Sequence, residues 1–170
     1  KAMIEADLQR AAFGTILDAQ AVTQGRAAGI GAAISLPLGG KCDPSQFPPV
    51  QVTGTVRHLS DGAFRYDGPM LAGMEGSMGP TMVLRVGGID VVVCTNRLQT
   101  FERQIFLSQG IDPAAQAFVA VKSMHHFRAA FQPLSSEVLL VVGDGLTSPD
   151  PSGFPYTRVR RPVWPLDADA

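Results

Sequence analysis

The chain has 170 residues, 45% of them apolar and 17% charged, with a formal net charge of -1. That composition supports a packed core and argues against disorder. It offers no basic excess to hold a phosphate backbone and no apolar run near the roughly 20 residues that span a bilayer, so nucleic acid and membrane are both disfavoured as partners.

In chain order, Ala2 to Ala11 carries apolar residues at helical spacing (Met3, Ile4, Leu8), and Phe13 to Leu17 reads as a short buried strand. Lys1 stands inside a helical pattern with no initiator methionine, which points to sequence upstream. Asp18 is placed to cap a helix over Ala19 to Ala28, which Gly29 ends. Ala32 to Leu38 reads as the next strand. This strand-helix-strand order suggests a βαβ unit with a parallel pair. Gly39-Gly40-Lys41 follows, either as a loop whose amides and lysine meet an anion or as a plain turn.

Val50 to His58 alternates as a strand, and Asp61-Gly62 turns it into Ala63 to Tyr66 as a hairpin. Residues 68–80 hold four glycines among Met70, Leu71, Met74 and Met78, a density that argues against helix. Such a loop either adapts to a partner surface or packs on its own domain. Thr81 to Val86 and Ile89 to Thr95 flank Gly87-Gly88, the strongest hairpin signal in the chain. Asn96 and Arg97 stand at the far end of that second strand. Phe101 to Gln109 reads as a short helix closed by Gly110.

Phe118 to Val121 reads as a buried strand that passes at Lys122-Ser123 into a helix, with Met124, Phe127, Ala130 and Phe131 on its apolar face. Glu137 to Val142 is a further buried strand, ended by a turn at Gly143-Asp144-Gly145. The rest, to Asp167, is proline-rich and irregular, with Arg158, Arg160, Arg161 and Trp164. The elements together predict an α/β fold: a mixed sheet with a βαβ unit and antiparallel β-hairpins, and helices packed on the sheet. One domain over residues 1–170 accounts for them.

The strand-to-helix junction gathers the densest chemistry. Lys122, the Ser123 hydroxyl and free backbone N–H groups meet at one point, suited to an anion or a polarised oxygen. Ser123 is a cap or a nucleophile, but no G-x-S-x-G elbow surrounds it. His126 is a hydrogen-bond donor or general acid at the strand end, or a histidine bonded to a backbone carbonyl. Arg128 clamps a carboxylate or forms an ion pair. The three histidines, His58, His125 and His126, give no chelating pair, because adjacent residues on a helix point about 100° apart. No metal site is expected in this chain. Cys42 and Cys94 lie too far apart for a CxxC motif, and with no signal peptide they favour a reducing, cytoplasmic setting.

Four separated motifs carry a resemblance: Gly39-Gly40-Lys41; Met78-Gly79-Pro80-Thr81; Lys122-Ser123-x-x-His126-Phe127-Arg128; and Arg161-Pro162-Val163-Trp164-Pro165-Leu166-Asp167. In this order they resemble the C-terminal domain of the MlrC family, named for a bacterial microcystin-degrading metalloprotease. The family tends to have Ala-Pro-Gly where this chain has Asp144-Gly145, and its Asp-Asn-Pro-Gly segment would precede Lys1. The resemblance implies a larger zinc-dependent hydrolase of peptide or amide bonds, with the zinc in an N-terminal domain. That domain and a small peptide or amide substrate are the expected partners. The chain would contribute His126, Lys122, Ser123, Arg128 and Lys41 to a cleft between domains and would be inactive alone. A non-catalytic structural, ligand-binding or oligomerisation module is the alternative, and a homo-oligomer is left open.

Overall fold

The computed structural model describes residues 1–42, 44–45, 47–141 and 151–167. They fall into two compact units, Lys1–Glu137 and Val138–Ala170.

The first unit is built on a six-stranded sheet. In chain order its elements are α1 (Ala2–Glu5), β1 (Ala11–Leu17), α2 (Ala19–Ala28), β2 (Ala33–Leu38), β3 (Val50–Ser60), β4 (Ala63–Arg65), β5 (Glu75–Ser77), β6 (Thr81–Val86), β7 (Ile89–Cys94), α3 (Gln104–Leu107), β8 (Phe118–Val121) and α4 (Arg128–Phe131). The sheet order is β2-β3-β6-β7-β1-β8, and β4 pairs with β5 in a separate two-stranded sheet. The mixed α/β class holds. Every residue of β7 is buried, as are all of β6 but Arg85. Continuous Val/Ile/Leu runs of this kind suit strands covered on both faces. Gly87, at φ 55°, makes the turn between them, where a β-branched residue would be strained.

Helix α2 has the predicted ends. Asp18 accepts a hydrogen bond from the Ala21 N–H at 3.0 Å, and Gly29 closes the helix at φ 86°. Its buried face is Ala21, Val22 and Gly25. A Cβ on Gly25 would stand 2.0 Å from Met82 Sδ, so the missing side chain sets how closely α2 lies on the sheet.

Several expectations are corrected. Strands β1 and β2 do not pair. Strand β2 is antiparallel to β3 at one edge, while β1 lies parallel to both β7 and β8. The parallel crossover therefore runs from β7 through α3 to β8, with β1 inserted between. The helix expected over 2–11 stops at Glu5: Asp7 and Arg10 take positive φ, and Ala11 is drawn into β1 by its N–H to Gly88 O. The hairpin expected at Asp61-Gly62 does not form, because β2 and β6 already occupy both edges of β3. Strand β4 turns away to β5 instead. Strand β8 is half exposed, with Phe118 48% accessible, since among the described residues it pairs only with β1. The helix expected from Met124 is reduced to Arg128–Phe131.

Residues 137–141 form no strand, and Val141 is 92% accessible. Apolar composition gave them strand character, but no described strand offers them a ladder. Val142 and the turn at 143–145 lie outside the described residues.

In the second unit the Arg161-to-Asp167 segment closes on itself. Arg161 Nε donates to Asp167 Oδ2 at 2.6 Å, its Nη2 pairs with Oδ1, and the Val163 N–H reaches Oδ2 at 2.7 Å. Trp164 between them is 74% accessible. The Arg161 hydrogen bonds, seconded by the Val163 amide, lower the Asp167 carboxyl from an ordinary 3.8 to about 2. A carboxylate lowered in this way stabilises its loop above its ordinary pKa and ceases to do so as pH falls through the folded value. A carboxyl-carbon NMR titration is expected to place the Asp167 midpoint near 2, and Arg161→Gln to return it toward the ordinary range. An unmoved midpoint in the variant would show that the guanidinium is not the cause.

Candidate functional site

The candidate site lies where β1, β7 and β8 end, under the loop of residues 95–100. A bulge makes the junction. Gly14 pairs with Val92 and Ile16 with Val93, so Thr15 has no partner in the β7 ladder. Its N–H instead donates to Thr100 Oγ1 at 2.8 Å, and both residues are buried. Thr100 N–H in turn approaches Lys122 O at 3.4 Å, and Lys122 N–H donates to Gly14 O at 3.1 Å. The loop is thus stitched to β1 and to the end of β8. Cys94, fully buried below it, donates to Asn96 O at 3.2 Å. Burial pushes the Cys94 thiol up, against smaller opposite pulls from the Thr15 hydrogen bond and the Lys122 charge.

One flank of the site is Asp18. Its buried carboxylate accepts the Ala21 N–H at 3.0 Å, the Gly39 N–H at 3.0 Å and Lys41 Nζ at 2.7 Å. Lys41 is therefore committed to an internal ion pair, with its side chain 24% accessible. Gly40 tightens the same loop at φ 66°, where a Cβ would meet Phe47 O at 2.2 Å. Beyond Lys41, the exposed Cys42 thiol stands 3.8 Å from Arg97 Nη2.

The other flank holds Lys122, Ser123, His126 and Arg128. Ser123 caps as expected, but at a turn: its Oγ accepts the Phe127 N–H at 3.2 Å. The same oxygen accepts Gln99 Nε2 at 3.0 Å, and Gln99 Oε1 lies 3.3 Å from His126 Nδ1. Phe101 meets the His126 ring edge-on, with centroids 6.4 Å apart, and stacks on Tyr66 at 5.7 Å. Lys122 is exposed and makes no ion pair among the described residues. The Arg128 guanidinium lies 5.5 Å over the Phe127 ring and reaches Gln132 Oε1 at 3.5 Å.

Lys122, Ser123 and His126 thus share one strand end. Lys41 belongs to the loop after β2, whose Cys42 thiol meets Arg97, while Gln99 two residues on reaches Ser123 and His126. Sequence reasoning missed Gln99 altogether and read Asp18 only as a helix cap. The signal for Gln99 was slight, its place just beyond a buried strand. Glu102 was missed too. It is buried, and its carboxylate accepts the Gly68 N–H at 2.9 Å and the Gln104 N–H at 3.3 Å. It holds the start of the glycine-rich loop against α3.

No group of three or more His, Cys, Asp and Glu able to hold a metal ion occurs among the described residues. The site therefore offers cations, a hydroxyl and an imidazole, and no chelating set.

The family described as MlrC C-terminus matches residues 1–158. Microcystinase C of Sphingomonas sp. is 30% identical over 167 residues, which is 98% of this chain and 31% of that protein. A crystal structure of a protein of Mesorhizobium sp. BNC1, provisionally named a metallopeptidase, superposes with a TM-score of 0.81 at 28% identity. That likeness covers 98% of this chain and 33% of the other. The chain spans about a third of the length of these relatives.

Asp18→Ala is expected to cost about 3 kcal/mol in denaturant unfolding, because it removes a helix cap and leaves a half-buried lysine without its partner. A loss within ~0.5 kcal/mol, the usual range for surface changes, would show that this carboxylate is not structural. In the native chain a thiol reagent is expected to modify Cys42 rapidly and Cys94 only on unfolding, since a raised pKa and burial both suppress the Cys94 thiolate. Mass mapping of the labelled peptides reads this directly.

Proposed function

The chain belongs to the MlrC C-terminus family, and we propose that it is the substrate-holding part of a larger zinc-dependent hydrolase of peptide or amide bonds. The observation that carries the reading is the set at the end of β8: an exposed Lys122, with no ion pair among the described residues, beside Ser123 and His126, the last two linked by Gln99. The names of the relatives, a microcystinase and a provisional metallopeptidase, support the reaction class. The described residues do not fit zinc, so the metal belongs in this reading to an N-terminal partner domain. Bound there, it would supply Lewis-acid activation of water and carbonyl.

In this reading Lys122 faces the negative charge of a substrate carboxylate or of the reacting carbonyl oxygen. Ser123 and His126 orient the substrate by hydrogen bonds. Arg128 would hold a substrate carboxylate only by leaving Phe127 and Gln132, which its guanidinium contacts. Lys41 keeps the opposite rim in place through Asp18 and meets substrate only indirectly. A second reading, a non-catalytic structural or oligomerisation module, draws on that same ion pair, which shows one motif residue engaged in holding the fold.

Substitutions in the longer polypeptide separate the two. His126→Ala is expected to lower kcat/KM by about 10²-fold, the lower end for a positioned proton-handling group. Lys122→Met is expected to raise KM or lower kcat by about 10-fold or more. Full turnover of both variants, with unchanged folding, would leave the structural reading.

A further inference from the structure

We propose that Gln99 is a positioning residue that holds neutral His126 in its Nδ1–H form, so that Nε2 presents a lone pair to the substrate. The proposal deepens the reading of the site given above and rests on it. Ser123 Oγ accepts the Phe127 N–H at 3.2 Å, and the Gln99 amide is assigned with Nε2 toward that oxygen, at 3.0 Å. With its amide nitrogen turned to Ser123, Gln99 can offer His126 only its oxygen, 3.3 Å from Nδ1. A carbonyl oxygen only accepts, so Nδ1 carries the hydrogen. A neutral imidazole has one N–H, and Nε2 is left as an acceptor. The free side chain in water prefers the opposite tautomer, so the protein has to impose this one.

The donor or acid role that the sequence suggests for His126 is thereby reversed for the neutral ring. The serine changes as well. Two donors already aim at its oxygen, so its own hydrogen is directed outward. The strand end then offers an acceptor at His126 Nε2, a donor at Ser123 Oγ and a cation at Lys122. A peptide backbone matches that order: an amide N–H donating to Nε2 and a carbonyl oxygen accepting from the Ser123 hydroxyl, with Lys122 facing a neighbouring carboxylate.

The tautomer is measurable on the 170-residue chain without substrate. Long-range proton–nitrogen correlation of ¹⁵N-histidine-labelled protein, above the ordinary histidine range at about pH 8.5, reports which ring nitrogen is protonated. His126→Asn identifies the resonances. The expected result is a protonated Nδ1 and an unprotonated Nε2 for His126. Gln99→Met is expected to shift the pair toward the Nε2–H form, and Gln99→Glu, which keeps an acceptor oxygen, to preserve Nδ1–H. Gln99 is exposed, so an unchanged backbone amide spectrum outside the loop is expected in both variants. An Nε2–H tautomer in the parent chain would overturn the proposal. So would a Gln99→Met spectrum in which the His126 nitrogens do not move. Failure here leaves the proposed hydrolysis standing, because that reading is tested by turnover of the longer polypeptide, and loss of the hydrolysis reading leaves the tautomer standing.

Discussion

A single buried carboxylate joins parts of this domain that the sheet keeps apart. Asp18 begins α2, yet it also binds the Gly39 amide and the Lys41 ammonium. Strand β2 stands at the far edge of the sheet, with β3, β6 and β7 between it and β1. The end of β2 nevertheless returns to the end of β1. A buried charge is tolerated only where several donors surround it. Here three donors come from two segments, the start of α2 and the loop after β2, so satisfying the charge also sets the path of the chain around the site.

The loop over the strand ends works by the same economy of partners. The bulge at Thr15 leaves one N–H without a ladder partner, and a buried N–H without an acceptor is costly. Thr100 supplies the acceptor and so fixes where the loop begins its return toward α3. Gln99, next in line, is thereby held within reach of Ser123 and His126. The orientation of the imidazole follows, through two hydrogen bonds, from an irregularity in β1. Placing polar groups at the carboxyl ends of parallel strands is a common solution in open α/β sheets, and here β7, β1 and β8 provide those ends.

Much of the fold was legible in the chain. The caps of α2 and the Gly87-Gly88 hairpin follow from local chemistry: an aspartate, a terminal glycine, a paired-glycine turn between two apolar runs. The pairing partners were not legible. A strand-helix-strand order is compatible with several sheet orders, and only the filled edges of β3 decide that β4 must turn away. The apolar run at residues 137–141 shows the limit. Composition gives a segment the capacity to be a strand, but a strand exists only where another offers its hydrogen bonds.

For the site, the sequence by itself determined the inventory: which residues can carry charge, donate or accept at the junction after β8, and that their motifs match one family over most of the chain. Tertiary structure decided what each is free to do. Lys41 and Lys122 are the same residue type, and each follows the end of a strand. One lies against a buried aspartate and the other meets solvent. His126 likewise owes its expected direction of hydrogen bonding to Gln99, 27 residues earlier. The reason is physical: charge and hydrogen-bonding capacity belong to the side chain, whereas availability depends on which partner the fold brings within about 3 Å.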